Sequence, residues 1–179
     1  MSLTSWMNRR FVALSAVAGV GITILPFANS EEDWQSHTDQ QLQITFRCPK
    51  KWKQGPTYTD RTYLEDQEHK RPAGHIQLLA SDGDTTEVCR LSATHKLQPY
   101  GAHPKIRSMK IQGQKACLVW PSKEQGENAD ALLVIALPRP VKIDGVYYGQ
   151  LMLEADQNHI RQIGQTIRFL SSAGQRDAR

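Results

Sequence analysis

The chain has 179 residues, with 22 Lys plus Arg against 18 Asp plus Glu, and three Cys. That arithmetic excludes a large multidomain enzyme, a collagen-like repeat and a disordered polyanion. It leaves a targeting segment and one modest globular domain.

Arg9 and Arg10 are the only charges before Glu31, and an uncharged, mostly apolar run extends from Phe11 to Phe27. A basic start, an apolar run and the small-x-small triplet Ala28-Asn29-Ser30 form the pattern of a secretory signal, with cleavage expected before Glu31. Pro26 ends the apolar helix just ahead of that point. Two alternatives stay open: an uncleaved membrane anchor, and twin-arginine export through Arg9-Arg10. No Cys lies near the cleavage point, so a lipoprotein anchor is excluded. Loss of the two arginines takes the formal charge from +4 to +2. Nucleic-acid binding would want basic residues gathered on one face, and this balance gives no sign of it.

The mature chain is expected to open with a flexible arm over residues 31–41. Leu42, Ile44 and Phe46 alternate with polar residues as in a half-buried strand that Pro49 ends. Residues 50–72, with Gly55, Pro56 and Pro72, read as a long loop. Ile76 to Ala80 is a short strand. Asp84 and Glu87 have capping-box spacing ahead of a helix from Thr85 to Leu97, with Val88, Leu91 and His95 down one side and Pro99 and Gly101 as the stop. Lys105 to Ile111 and Lys115 to Trp120 flank the hairpin turn at Gln112-Gly113. Ala131 to Leu137 is wholly apolar, the pattern of a central strand covered on both faces, and Pro138-Arg139-Pro140 breaks it. Asp144-Gly145 joins two further strands, Val141 to Ile143 and Val146 to Ala155. Asp156 caps a last helix from Gln157 to Leu170, with Ile160, Ile163 and Ile167 on its buried stripe. A disordered polar tail follows over residues 171–179.

Clustered strands and few helices predict an α+β fold: a single globular domain over residues 42–170, built as a mainly antiparallel sheet with helices on both faces, an α/β/α sandwich. The start at Phe46, Pro49 and Trp52, followed by strands and a C-terminal helix after a long hairpin, resembles the PsbP family. The stretch from Ile111 to Phe169 carries the Gly113-Gln114 hairpin, the Pro121-Ser122 loop entry and the Pro138/Pro140-Val141 step. With the Asp144-Gly145 turn and the helix start at Ala155-Asp156 and His159-Ile160, it resembles small extracytoplasmic bacterial domains of unsettled function. The resemblance implies a PsbP-like sandwich with an accessory or binding role. PsbP proteins are non-enzymatic extrinsic subunits assisting photosystem II; that partner is not transferred, because a fold does not set a function.

No residue set points to catalysis. Ser36, Ser81, Ser92 and Ser122 sit in no nucleophile elbow, and there is no phosphate-binding glycine loop. His75, His95 and His103 lack the spacing of a metal site, and His159, in the first turn of the last helix, reads as neutral and packed. Asp82, Asp84 and Glu87 fail the calcium-loop pattern and read as turn and cap. Lys50, Lys51 and Lys53 around Trp52 read as a solvated turn with one buried ring. No metal and no cofactor are therefore expected.

Export makes a disulfide plausible. In a sandwich the first helix crosses the sheet, which places Cys89 near Cys117, within the roughly 4.4–6.8 Å Cα separation a bridge needs. A bridge to Cys48, or three free thiols, are the other outcomes. The reading is a non-enzymatic extracytoplasmic binding domain for an envelope protein or small ligand. It is expected to be monomeric, without nucleic acid, and to meet the membrane only through an uncleaved N-terminal segment. The rival is a secreted enzyme that uses a metal, or a thiol such as Cys117 with a His.

Overall fold

The computed structural model describes residues 33–81 and 83–170. The expected signal or anchor over residues 1–30, the first two residues of the expected arm, Asp82 and the expected tail over 171–179 lie outside the described residues.

Period-two alternation builds most of what is seen. Trp34–Asp39 (β1) and Ile44–Pro49 (β2) pair antiparallel, and Ile44, Phe46 and Cys48 are buried while Arg47 is exposed. Arg168–Phe169 (β10) joins the far side of β2 to complete a three-stranded sheet. The arm expected over residues 31–41 is therefore largely a strand. Its alternation is hidden because the half-buried positions are Trp34, Gln35 and His37 rather than aliphatic residues.

The larger sheet comprises Trp52–Thr57 (β3), Arg61–Asp66 (β4), Arg71–Leu79 (β5), Lys105–Ile111 (β6), Gln114–Trp120 (β7), Asp130–Ile143 (β8) and Val146–Asp156 (β9). All seven pair antiparallel, in the order β3-β4-β5-β9-β8-β7-β6. Two tight turns have the same cause. Gln112-Gly113 and Asp144-Gly145 hold positive φ at both positions, the backbone of a two-residue turn whose twist matches the strands. Pro138 and Pro140 do not end β8. They sit where its register with β9 shifts between Ala136 and Val141, so their missing N–H groups break no rung.

The helices are short: Thr85–Ala93 (α1) and Ile160–Thr166 (α2). Leu132 and Val134 of β8 pack on one side with Cys89 and Ala93 of α1, whereas Leu133 and Ile135 face Ile44, Phe46, Ile160 and Ile163. The expected α/β/α sandwich, an α+β fold with helices on both faces, is thereby corrected to a sheet-rich fold. The side opposite α1 is covered mainly by the three-stranded sheet, to which α2 contributes two turns. A helix of seven residues buries too little to form a layer alone. Gly164 lets it approach, because a Cβ there would collide with a Leu133 methyl.

Helix α1 also differs in its extent and face. Thr85, Cys89 and Ala93 are its buried stripe, and Leu91 is exposed. Small residues at that spacing let the helix lie close to the sheet. It ends at Ala93 because the Thr94 hydroxyl and amide both donate to the Arg90 carbonyl. Asp84 caps the start, accepting from Thr86 N, but Glu87 turns to Arg90 instead of closing a capping box. One cross-strand row explains where α1 sits. It runs Tyr63, His75, Glu154, Leu132, Val119, Ile106. It is polar over β4, β5 and β9 and apolar over β8, β7 and β6, and α1 covers the apolar half.

Candidate functional site

Strands β4 and β9 are both antiparallel to β5, so they run parallel to one another and end at the same edge of the sheet. Each ends in the same local pattern: Asp66-Gln67-Glu68-His69 and Asp156-Gln157-Asn158-His159. In each, the aspartate oxygen accepts from the backbone two residues on, Glu68 N at 3.0 Å and Asn158 N at 2.9 Å. An aspartate that replaces a backbone acceptor in this way reverses the chain without a glycine. The free oxygen then meets the imidazole at the fourth position. His69 Nδ1 lies 2.7 Å from Asp66 and His159 Nδ1 2.7 Å from Asp156.

Both carboxyls are buried. Burial opposes their charge, but the imidazole and backbone N–H groups that face them outweigh it. Asp66 and Asp156 are both held below the ordinary aspartate value. Asp130, which pairs with Asp156 across the ladder, shifts the other way: burial and the Asp156 charge push it up.

The two turns line one polar cavity of about 430 Å³, together with Lys51, Trp52, Arg71 and Asn128. The loop from β7 to β8 is fixed beside it, since Gln157 and Asn158 donate to the Gly126 and Glu127 carbonyls. Trp52 is buried, with its ring centroid 5.0 Å from that of His159. Cations, carboxylates, amides and an aromatic wall thus converge on one volume at a sheet end. An imidazole held by carboxylate at Nδ1 has its tautomer and orientation set, which suits it to hydrogen-bond or ligate through Nε2.

Asp66, Glu68 and His69 bring ligand atoms within 4.8 Å of one another, so they are the residues that could hold a metal. The fit is poor. Asp66 already shares a proton with His69 Nδ1, Arg71 Nε lies 3.9 Å from Asp66, and Lys51 Nζ lies 3.8 Å from Glu68. A metal would have to displace the proton and both cations.

The residues singled out from sequence lie in several places. Cys89 and Cys117 are joined by a disulfide with Cα atoms 6.4 Å apart, and Cys48 is buried, its thiol pushed up to about 12 by burial. His75 belongs to the polar part of the sheet face, 3.6 Å from Glu154. His95 and His103 line a separate cavity of about 490 Å³ beside the end of α1. Ser122 Oγ accepts from His103 N and donates to the Tyr100 carbonyl, with no imidazole partner among the described residues. Lys50 pairs with Asp33 and Lys51 with Glu68, so the basic cluster around Trp52 is spread over separate acids. His159 alone of the four histidines reaches the cavity. Asp66 and His69 were missed, and the signal that finds them is the recurrence of Asp-Gln-x-His after an alternating strand.

No family model matches the chain, and no curated protein does. Among solved structures the chain is similar to the solution structure of cyanobacterial PsbP (CyanoP) from Synechocystis sp. PCC 6803. The identity is 13% over 87% of this chain and 98% of that one, with a TM-score of 0.43. This is the family that the sequence resembles. Among the described residues no helix is long and apolar enough to cross a membrane.

Proposed function

We propose that the protein is a non-enzymatic extracytoplasmic binding domain. It takes a polar ligand, either a small molecule or the polar tip of a partner protein, in the cavity at the ends of β4 and β9. The observation that carries this is the convergence of two Asp–His pairs with buried aspartates, from two separate strands, on one cavity that also holds Lys51, Arg71 and Asn128. Buried carboxylates are costly unless paired. Two of them at one edge, each used to orient an imidazole, fit recognition better than packing.

The thiol-enzyme alternative loses its nucleophile. Cys117 is bonded to Cys89, and Cys48 is buried with a thiol too weakly acidic to form a thiolate at neutral pH. A disulfide also suits an oxidising compartment, which supports the reading of export. Non-reducing peptide mapping is expected to join the Cys89 and Cys117 peptides and leave Cys48 alone. Three free thiols in protein recovered from cells, or a full-length chain found in the cytoplasm, overturn the location.

The binding reading is tested by a photo-crosslinking residue placed at Asn128, and for comparison at exposed Tyr147, in an envelope extract. The expected result is one adduct of defined mass from Asn128, lost in the folded double variant His69→Ala/His159→Ala and absent from Tyr147. Equal adducts from both positions, or none from Asn128, reject the cavity as the site.

A further inference from the structure

The two edges of the seven-stranded sheet are unlike. At β3 the edge is blunted: it holds Gly55 and Pro56, and its register with β4 shifts between Gln54 and Thr57. A proline offers no donor and a shifted register gives no regular ladder, which are the usual protections of a free edge. At β6 none of this is present. Its seven residues pair with β7 in unbroken register from Lys105↔Trp120 to Ile111↔Gln114, and it holds neither proline nor glycine. Every second residue of such a strand turns its N–H and C=O away from its neighbour, so the outer side of β6 is an open ladder.

Charge then distinguishes among occupants. Lys105, Arg107 and Lys110 are exposed, β6 carries no acid, and none of the three cations has an acidic partner among the described residues. By contrast Lys115 on β7 is paired with Asp84. Alternation puts Lys105 and Arg107 on one face of the strand and Lys110 on the other, so cations flank the open ladder on both sides. A second copy of this chain fits badly: antiparallel pairing about Ser108 would set Lys105, Arg107 and Lys110 of each strand opposite Ile111, Met109 and Ile106 of the other, and so bring the cations of both strands into one ladder without an acid. A nucleic acid would want aromatic rings to stack on, and β6 has none. A membrane surface would want more apolar area than exposed Ile106 supplies.

We propose that the β6 edge receives an extended acidic segment of a partner protein, which adds an eighth strand through main-chain hydrogen bonds and places its carboxylates against Lys105, Arg107 and Lys110. This surface is separate from the cavity between the β4 and β9 turns, and the proposal stands without that site.

The probe is a synthetic peptide repeating Glu-Glu-Val-Val, which turns carboxylates to both faces of the added strand, titrated into the ¹⁵N-labelled chain. The expected result is shifts confined to the amides of residues 105–111 and their β7 partners, with slowed hydrogen exchange along β6. The variant Arg107→Glu/Lys110→Glu changes only exposed side chains. It should keep its melting temperature and lose about tenfold or more in affinity, and added salt should weaken the wild-type complex. The milder Lys105→Gln/Arg107→Gln/Lys110→Gln variant should lose affinity in the same direction. A peptide of the same sequence with alternate backbone nitrogens methylated should not bind. Equal binding of the methylated peptide overturns strand addition in favour of plain charge attraction. Equal perturbation by oligothymidylate or phosphatidylglycerol vesicles assigns the edge to those partners, and dimerisation through β6 without peptide assigns it to a second copy.

Discussion

The turns after β4 and β9 share a four-residue pattern and differ in everything that surrounds it. His69 has 53% of its side chain in solvent, whereas His159 has 20% and lies against Trp52 and Trp34. Asp66 has Arg71 beside it, while Asp156 faces the like charge of Asp130 across the ladder. The Asp66 turn leads into β5; the Asp156 turn leads into α2, with His159 as the residue just before the helix. A third turn completes the comparison. Asp39 accepts from Gln41 N and Leu42 N in the same manner, but its fourth residue is Leu42, fully buried in the core. The aspartate makes the turn in all three cases. The residue at the fourth position decides whether the turn serves the core or the cavity, and tertiary packing decides how firmly it is held.

That comparison is broken hardest at Trp52, whose ring packs on His159 of the second turn, whereas only its backbone pairs with Asp66 of the first. Trp52→Ala should cost about 3–5 kcal/mol in chemical denaturation, with the His159 imidazole resonances shifting and those of His69 unmoved. Shifts of equal size at both histidines would mean that the turns are one unit.

Next in size come the aspartates. Hydrogen bonds to a charged group contribute about 1.5–3 kcal/mol. Asp156→Ala is expected to lose about 2–3 kcal/mol, because α2 loses its lead-in, and Asp66→Ala about 1–2 kcal/mol, because its histidine is already half in water. Equal losses would show that the surroundings add nothing to the local bond. Removal of the histidines should split the pair more plainly still. His159→Ala should cost about 1–2 kcal/mol through lost ring packing, and His69→Ala under about 0.5 kcal/mol, measured by thermal melting.

The smallest effect is on pH dependence, and it unites the turns. Both folded carboxyls lie below the unfolded aspartate value, so the folded state holds those protons less tightly. Their stabilisation is complete above about pH 4 and is lost as pH falls through the folded values. Asp66→Asn/Asp156→Asn should therefore flatten the acid limb of a stability curve. Glu154 has the opposite sign, since burial and Asp130 raise it. Its share is present below about pH 4 and lost as pH rises, so Glu154→Gln should gain stability at neutral pH. A Glu154→Gln curve parallel to wild type at every pH contradicts that assignment.

Local signals were readable wherever a backbone requirement picked the residue. Asp144-Gly145 and Gln112-Gly113 mark tight hairpins because few residue pairs accept positive φ twice, and Ile160, Ile163 and Ile167 mark the buried side of α2 by spacing alone. The stretch Lys50–Pro72 reads as loop because its buried positions in β4 are Thr62, Leu64 and Asp66, two of them polar, with Thr62 satisfied by Asp39, far back in the chain, and Asp66 by the turn that follows it. The buried face of α1 is opaque for a related reason. Val88 and Leu91 are the more apolar residues, but Cys89 bonded to Cys117 turns the helix onto its small side. The cavity itself was invisible, because each half reads as an ordinary turn and only the pairing of β4 and β9 with β5 sets them side by side.

The strand order also has a consequence for assembly. The sheet is two meanders, β3-β4-β5 and β6-β7-β8-β9, in which each strand pairs with one that follows it after a short connection. The ladder between β5 and β9, Gly74↔Ala155 to Leu79↔Gln150, alone joins them, and its partners are separated by α1 and three whole strands. Closing a long loop costs more chain entropy than closing a hairpin, and non-local pairing slows folding. We expect each meander to zip first and the seam last, with pulse-labelled amides of Leu78 protected after those of Leu133; the reverse order would refute it. The cavity straddles that seam, with Asp66 in one meander and Asp156 in the other. The site thus does not exist in either half, and it comes into being only with the slowest contact in the fold.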